Sequence, residues 1–287
     1  MILLDFQPVL ISNLMASIGK DRSVEVDEGL LRHMVLNTIR SYMQAYKRDW
    51  GELVVCCDTR HSWRKNAFPY YKANRKKARD ESIIDWPAVF AGFDVIKSEL
   101  KANFPYRVVE VEGAEADDII GVLARTFGQS EKVLILSKDH DFIQLQGLVS
   151  VFGDHNVYQI DPIKKSYITH PDPVKYLKEH IIRGDGGDGV PNILNSDSCL
   201  VEGVRQMAMT AKRLELFMDK EFGSQSDTPT RNYYRNQELI DLTFTPPEID
   251  AAIHVAYAAE ANKTGRVYDY MVEKRLRNLL ESVNEFA

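Results

Sequence analysis

The sequence predicts an α/β fold: a central, mostly parallel sheet with helices on both faces, followed by a smaller all-helical region. Three observations predict it, namely short apolar runs rich in Val, Ile and Leu, helical patterns between these runs, and a change to polar, helical sequence after about residue 170. Strands that alternate with helices are typical of parallel sheets. We therefore expect two domains, residues 1–170 and 171–287.

Four apolar runs are the predicted strands. They lie tens of residues apart and comprise residues 2–4, 53–57, 107–111 and 133–136. Helical spacing of apolar residues predicts helices between them, over residues 27–48, 86–100 and 114–127. In the C-terminal region, loop signals occur at 184–189, 223–229 and 246–247.

The composition is that of an ordinary soluble protein, with 287 residues, 44% hydrophobic and 27% charged. No run approaches the 18 apolar residues of a membrane span, and the N-terminus enters a strand without a charged leader, so we expect a cytoplasmic protein with no membrane partner. Cys56, Cys57 and Cys199 have no metal-ligand spacing, which predicts buried, reduced thiols.

Nine acidic residues lie where predicted strands end or helices begin. They are Asp5, Asp58, Glu115, Asp117, Asp118, Asp139, Asp141, Asp185 and Asp188. In open α/β sheets, ligands bind beyond the carboxyl ends of the strands, which is where such residues meet. Two like charges about 4 Å apart repel by about 4 kcal/mol at an effective dielectric constant of about 20, so a cluster of them requires cations. Any single Asp is better explained as a turn residue or an N-cap, but the repetition predicts a metal site.

The spacing of these acids also fits metal binding. Glu115 to Asp118 offer carboxylates in two directions from the first helical turn, although acids there also favour the helix dipole by about 0.3 to 1 kcal/mol each. Asp139 and Asp141 project to one side of an extended backbone, and Asp185 and Asp188 lie in a glycine-rich loop.

The ligand types select the metal. Carboxylates without Cys or His indicate Mg²⁺ or Mn²⁺ rather than zinc, and the calcium-loop pattern of EF-hands is absent. His140, between Asp139 and Asp141, is a candidate general base, with a surface or supporting role as the alternative.

A basic segment, residues 60–79, follows Asp58. It contains aromatic residues and no acid, and its basic residues are Arg60, Arg64, Lys65, Lys72, Arg75, Lys76, Lys77 and Arg79. Positive charge with aromatic rings suits single-stranded nucleic acid, whereas the alternative is a solvated helix with aromatics facing the core. The net charge of −6 does not oppose this, because removal of the nine acidic charges leaves +3.

Five strings in order along the chain resemble the 5′ to 3′ exonuclease and flap endonuclease family. They are LLDF, CCDTRHSWRKNAFPYYKANRKKARDES, EGAEADDIIGVL, LSKDHDFIQL and IIRGDGGDGV. Further likeness in RHMVLNTIR, and in the tail from GRVYDYMVEK to SVNEF, extends over nearly the whole chain.

The resemblance implies a two-metal phosphodiesterase. It places Asp5, Asp58, Asp117 and Asp139 around one Mg²⁺, with Asp141, Asp185 and Asp188 around a second, and Mn²⁺ as a substitute. Glu115 and Asp118 match acids that act through water. Lys72 and Arg75 match contacts to the scissile phosphate and join Asp117 and Asp139 as catalytic residues.

Residues 60–82 correspond to a helical arch that passes a 5′ single strand. The expected nucleic-acid-binding residues are Arg60, Trp63, Arg64, Lys65, Tyr71, Lys72, Arg75, Lys76, Lys77 and Arg79. A helix-hairpin-like duplex-binding region is expected after residue 171, but Gly189 stands where the family often has Asn, and 190–210 lack its glycine pattern. Potassium binding is therefore not carried over, and Arg205, Lys212 and Arg213 are left to grip the duplex.

The implied function is a magnesium-dependent, structure-specific 5′ nuclease of phage replication that removes RNA primers and adjacent DNA and cuts 5′ flaps. Branched or nicked DNA and RNA–DNA hybrids are the expected substrates, for a monomer in the host-cell cytoplasm that also binds a single-stranded DNA-binding protein. Two alternatives stay open: a PIN-type endoribonuclease, which would be shorter and lack the arch, and a non-catalytic replication-fork binding module, which would not need the acids.

Overall fold

The computed structural model describes residues 1–19, 26–224 and 227–286. Its sheet has six strands in the order β3-β2-β1-β4-β5-β6, of which only β6 is antiparallel to its neighbour. The strands are β1 Ile2–Asp5, β2 Leu53–Cys57, β3 Arg107–Glu110, β4 Val133–Leu136, β5 Val157–Asp161 and β6 Ser166–Ile168. The predicted mostly parallel sheet is confirmed.

Helices cover both faces of the sheet and form the C-terminal region. They are α1 Phe6–Ile18, α2 Glu28–Trp50, α3 Trp63–Ala67, α4 Ala73–Asp80, α5 Trp86–Asn103, α6 Ala116–Phe127, α7 Pro173–Arg183, α8 Ala211–Met218, α9 Thr228–Ile240, α10 Pro247–Ala259, α11 Val267–Glu273 and α12 Arg277–Leu280. Short 3-10 helices span His140–Gly147, Leu242–Phe244 and Val283–Phe286. The three predicted helices correspond to α2, α5 and α6.

The sequence did not predict β5 and β6, because polar residues interrupt their apolar pattern. Gln159 in β5 is buried, and its amide donates a hydrogen bond to the carbonyl of Ser137 at 3.0 Å. A buried polar group is tolerated when it is bonded in this way. The polar residues of β5 are therefore typical of a loop, although the side chain of Gln159 lies within the sheet.

Alternate residues of the strands face two different hydrophobic clusters. Ile2 and Leu4 of β1 pack into a cluster that includes side chains of α1, α2, α5, α11 and α12. Leu3 points to the opposite face, where α6 and α10 cover the sheet. The alternation follows from the two-residue period of a strand and explains why the predicted strands are apolar throughout.

The C-terminal helices share core clusters with the rest of the chain. Residues Val267, Tyr270 and Met271 belong to the cluster of α2 and α5. A third cluster joins Phe68 and Tyr71 to residues of α7 and α9. The division at residue 170 stays a prediction, and the helices after it pack directly on the sheet and on residues 68–71.

Aspartate side chains cap the beginnings of two long helices. Asp27 and Asp85 accept hydrogen bonds from the backbone N–H groups of Leu30 and Ala88, at 3.0 and 3.1 Å, which starts α2 and α5.

All three cysteines are buried and free, as predicted. Within the described residues, no helix has both the length and the apolar character that a membrane crossing requires.

Candidate active site

The site begins at the carboxyl ends of β1, β2 and β4. Asp5 is the last residue of β1, Asp58 follows β2, and Asp139 lies three residues beyond β4. Because β2 and β4 flank β1 on opposite sides, the strand order reverses here, at the position where open α/β sheets bind ligands. The hydroxyl of Ser137 donates to Asp5 at 2.9 Å and fixes that carboxylate at the edge.

The first turn of α6 brings further carboxylates to this edge. Asp58 accepts a hydrogen bond of 2.7 Å from the N–H of Ala116, which ties the end of β2 to the start of the helix. Glu115 is the N-cap of α6, and Asp117 lies in its first turn. The structure therefore brings Asp5, Asp58 and Asp117 together.

A second group of acids adjoins the first. Asp117, Asp141, Asp185 and Asp188 line a common cleft. Asp141 follows Asp139 in the 3-10 helix, and its N–H donates to Asp139 at 3.0 Å. Asp185 and Asp188 lie in the loop after α7, where the carboxylate of Asp185 accepts from the N–H groups of residues 187 and 188.

Burial and mutual repulsion make these carboxylates hard to ionise without a cation. Burial raises the pKa of Asp5 to about 8, and the negative charge of Asp58 adds to the effect. Burial also raises the pKa values of Asp58, Asp117 and Asp141. Metal ligands of this kind exchange protons for a cation when the cation binds.

Two basic side chains point into the same cluster. The Nζ atom of Lys72 lies 2.6 Å from Oε1 of Glu115 and 3.4 Å from Oδ2 of Asp188, and Arg75 also pairs with Asp188. Burial opposes the charged form of Lys72, but Asp188, Glu115 and Asp117 outweigh it and raise its pKa. Glu115 has a lowered pKa, because Lys72 and Arg64 overcome the effect of its burial.

The backbone of Lys72 is locked to the loop that carries Asp188. Lys72 has a left-handed φ of 54°, and its N–H donates to the carbonyl of Asp188 at 2.7 Å. Asn74 donates to the carbonyl of Gly186 at 3.2 Å. A left-handed conformation costs a residue with a side chain about 1 to 3 kcal/mol, so these contacts hold Lys72 in place.

Arg64, Tyr71 and Trp63 were expected to contact nucleic acid, but the structure buries Arg64 and Tyr71, while for Trp63 the contact stays a prediction. Arg64 is 2% exposed; its guanidinium donates to Asp118 at 2.9 Å and to the carbonyl of Leu239 at 2.8 Å. Tyr71 is 4% exposed, and its hydroxyl contacts acids of the cleft. Trp63 is half-buried and donates to Asp118 at 3.2 Å. In this structure these three side chains stabilise the base of the segment.

Asp118 is also a structural residue by its contacts. It is fully buried and accepts hydrogen bonds from Trp63, Arg64, Thr245 and the N–H of Glu115. Both of its oxygens accept hydrogen bonds from protein donors. The water-mediated role that the family resemblance implies for Asp118 stays a prediction.

Other basic residues of the segment do lie on the surface. Arg60, Lys65 and Arg75 are exposed, and Arg60 pairs with Asp94 at 2.8 Å. Arg79 is partly exposed, with its guanidinium 5.8 Å from the ring centre of Phe90. The side chains of Lys76 and Lys77 lie outside the described part of the structure. In the C-terminal region, Arg205, Lys212 and Arg213 are exposed at or before the start of α8.

Sequence reasoning missed two residues at the site, Ser137 and His180. Ser137 directly follows β4 inside the string LSKDHDFIQL, so its position beside Asp139 was a usable signal. His180 lies on α7 with Nδ1 3.5 Å from Asp141 and Nε2 4.0 Å from Asp185. Burial lowers its pKa. Its sequence neighbours form an ordinary helical pattern, which carries no signal for a site.

Two family models together match most of the chain. Residues 16–170 match the model described as 5′-3′ exonuclease, N-terminal resolvase-like domain, and residues 175–286 match that described as T4 RNase H, C terminal. The chain belongs to the 5′-3′ exonuclease family. The family resemblance carried by the motifs is thereby confirmed, and the family is one of divalent-metal-dependent nucleases.

Individual relatives agree with this assignment. The chain is 31% identical to the ribonuclease H of Enterobacteria phage T4 over 99% of its own length and 95% of that protein. It is 26% identical to a 5′-3′ exonuclease of Buchnera aphidicola over 55% of the chain and 54% of that protein. A bacteriophage T5 flap endonuclease, solved in a complex with DNA and metal ions, shares the fold with a TM-score of 0.56 at 16% identity, over 99% of this chain and 98% of that one.

Proposed function

We propose that this family member is a magnesium-dependent, structure-specific 5′ nuclease that hydrolyses phosphodiester bonds, removes RNA primers with adjacent DNA, and cuts 5′ flaps. The observation that carries the proposal is that two sets of acidic residues meet at the sheet edge, with Lys72 directly beside them. The relative from phage T4 is a ribonuclease H, and the structural neighbour from phage T5 was solved with DNA, which supports both kinds of nucleic acid as substrate.

The donor set fits hard divalent cations. The acids that would hold them are Asp5, Asp58, Asp117 and Asp139 for one ion, and Asp141, Asp185 and Asp188 for the other. Four of these carboxyl groups have pKa values raised by burial, which means that protein donors and cations do not fully offset their negative charge. Carboxylate oxygens are the preferred ligands of Mg²⁺, and Mn²⁺ accepts the same set. Two such ions, when bound, lower the pKa of the attacking water and neutralise the leaving oxygen.

The residues of the chain supply the remaining chemistry. Lys72 and Arg75 form ion pairs with Glu115 and Asp188, and cations that bind those acids would free both side chains for a phosphate group. The side chain of Lys72 is 17% exposed, so a hydrogen bond from its ammonium to a phosphate oxygen would be little screened by water. In the metal-free protein, Glu115 holds Lys72 in position.

The exposed basic residues support binding of a nucleic-acid strand beside the cleft. Arg60, Lys65 and Arg75 are exposed and are the proposed phosphate contacts, and Lys76 and Lys77 stay in this proposal from the sequence alone. Binding of a single-stranded DNA-binding protein, a monomeric state and a location in the host cytoplasm also stay predictions.

Purified protein assayed with 5′-labelled flap, nicked-duplex and RNA–DNA substrates, with Mg²⁺ and with EDTA, tests the proposal. We expect cleavage near the 5′ end that needs the metal, and loss of turnover in Asp139→Asn and Asp117→Asn with the circular dichroism spectrum unchanged. Ordinary flap cleavage by either variant would contradict the site. Cleavage restricted to folded RNA would favour the endoribonuclease alternative, and binding without cleavage would favour the non-catalytic one.

A further inference from the structure

His180 is the one nitrogen donor that the described residues place within metal-ligand spacing of the acids. One ligand atom each from Asp141, His180 and Asp185 all lie within 4.8 Å of one another. The ring belongs to α7, whereas Asp141 lies on the 3-10 helix and Asp185 in the loop after α7. Three separate elements of the chain therefore converge on this point.

The distances suit a shared cation. His180 Nδ1 lies 3.5 Å from Asp141 Oδ1, and Nε2 lies 4.0 Å from Asp185 Oδ2. Ligands bound at about 2.1 Å lie about 3 Å apart at right angles and about 4.2 Å apart on opposite sides of an ion. Each observed distance falls between these limits, one for each ring nitrogen, so an ion bound by either nitrogen would have a carboxylate oxygen at ligand spacing.

The ring is held in place without using its nitrogens. The side chain of His180 is 17% exposed and packs edge-on to Tyr176, with ring centres 5.9 Å apart. Its two ring nitrogens face the carboxylates of Asp141 and Asp185 at 3.5 and 4.0 Å. The second separation exceeds the length of a direct hydrogen bond, and both are compatible with an ion between the ring and a carboxylate.

We propose that His180 supplies a nitrogen ligand to the second metal ion, together with Asp141 and Asp185. This inference rests on the proposed metal-dependent function and deepens it. One ring nitrogen binds the ion, and the N–H of the other is left to donate a hydrogen bond to a carboxylate oxygen or to water, as in other metal-bound histidines. Because imidazole suits Mn²⁺ and the later divalent metals better than Mg²⁺, the second position is selective for them relative to an all-oxygen site.

Electron spin-echo envelope modulation of bound Mn²⁺ tests the proposal, because it detects a nitrogen nucleus coordinated to the ion. In protein loaded with two equivalents of Mn²⁺, we expect modulation from a coordinated ¹⁴N nucleus, replaced by the ¹⁵N pattern when histidine is ¹⁵N-labelled. His180→Phe keeps the ring packed on Tyr176 and should abolish the modulation. The same substitution should raise the Kd of one of the two Mn²⁺ ions by about 10-fold or more, whereas the Kd for Mg²⁺ should change less.

A matched control and a second variant protect the test. His140→Ala removes an exposed histidine beside Asp139 and Asp141 and should leave the ¹⁴N signal intact. His180→Gln offers an oxygen in place of nitrogen, and should restore Mg²⁺ binding without the signal if the phenylalanine variant folds poorly. Circular dichroism in EDTA checks the fold of each variant.

The outcomes separate the two proposals. Two bound Mn²⁺ ions without a nitrogen signal in the wild type, or a signal that persists in His180→Phe and His180→Gln, would overturn the role of His180 alone. Failure of the wild type to bind any Mn²⁺ or Mg²⁺ would overturn the metal-dependent function itself.

Discussion

Lys72 illustrates at the residue scale how this site handles charge. Its left-handed backbone directs the side chain toward Glu115 and Asp188, where the ammonium is largely shielded from water. An isolated buried ammonium would lose its proton, but these carboxylates keep it charged. The acids therefore hold a cationic side chain ready beside the cleft in the absence of substrate.

We predict that Lys72→Ala lowers the turnover of a 5′ flap by roughly 10²-fold or more, since a donor to the transition state is lost. Single-turnover kinetics at saturating enzyme measure the effect. Lys164→Ala, which removes an exposed lysine of the β5–β6 hairpin, serves as the control. A change of less than threefold in Lys72→Ala would remove Lys72 from the catalytic set.

Arg64 is the opposite case, a cation retained for stability. It is buried between Asp118, Glu115 and the end of α9. Removal of one partner of a buried ion pair leaves an uncompensated charge and typically costs about 3 to 5 kcal/mol. We predict that Arg64→Met lowers the free energy of unfolding in urea by about that amount.

The neighbouring Lys65 is exposed on the same helix and gives the comparison. Lys65→Ala should change the free energy of unfolding by less than about 0.5 kcal/mol. Equal effects of the two substitutions on unfolding would show that Arg64 does not anchor α3.

At the scale of elements, the loop after α7 and the turn before α4 interlock. Gly189 has a φ of 77°, and a Cβ atom there would lie 2.8 Å from the carbonyl oxygen of Tyr70. The close approach lets the backbone of Lys72 bond to Asp188. One loop therefore sets the positions of an expected metal ligand and of Lys72, the proposed phosphate contact, together.

We predict that Gly189→Ala lowers the free energy of unfolding by about 1 to 3 kcal/mol, because the left-handed backbone and the carbonyl both oppose the added methyl group. Flap cleavage should fall as well, since Lys72 is displaced. In Gly186→Ala the methyl group meets open space, so stability should change by less than about 0.5 kcal/mol. Unfolding midpoints of the two variants, measured in EDTA, decide the matter, and equal midpoints would contradict the interlock.

At the scale of the whole molecule, negative charge is concentrated in one place. The chain carries −6 overall, but the nine acids at or beside the site account for more than this excess. Folding brings most of them together at a cost that cations remove. We therefore expect the stability of this protein to depend on metal binding and on the charge of single acids.

We predict that Mg²⁺ raises the melting temperature relative to EDTA, by an amount that corresponds to about 2.7 kcal/mol for one ion at 100 times its Kd. Differential scanning calorimetry across millimolar Mg²⁺ measures the shift. An unchanged melting temperature would argue against a metal site.

Asp5→Asn should raise the melting temperature in EDTA while it abolishes activity, because it removes a buried, repelled charge. The folded-state pKa of Asp5, about 8, exceeds the ordinary 3.8, so the metal-free wild type loses stability as the pH rises between these values. The advantage of Asp5→Asn should grow over the same interval. Asp49→Asn, an exposed carboxylate on α2, should show no such trend.

Local patterns in the sequence were enough to predict the four apolar strands, the three main helices and the strand-end positions of Asp5, Asp58 and Asp139. These features depend on residues close together along the chain, whose periodicity is visible directly. The basic segment shows where this stops: its charge was visible, but the exposure of each side chain was not. Arg64 is buried by Leu239, 175 residues away, and no local pattern contains that contact.

The position of the His180 ring beside the acids and the hydrogen bonding of Asp118 could not be predicted for the same reason. Each depends on partners from separate elements, Asp141 and Asp185 for His180, and Trp63 and Thr245 for Asp118. The linear chain thus specifies the chemistry available at the sheet edge, namely carboxylates, a lysine and an arginine. Packing between distant segments selects which of those groups face the cleft and which stabilise its base, because burial is a property of the assembled fold.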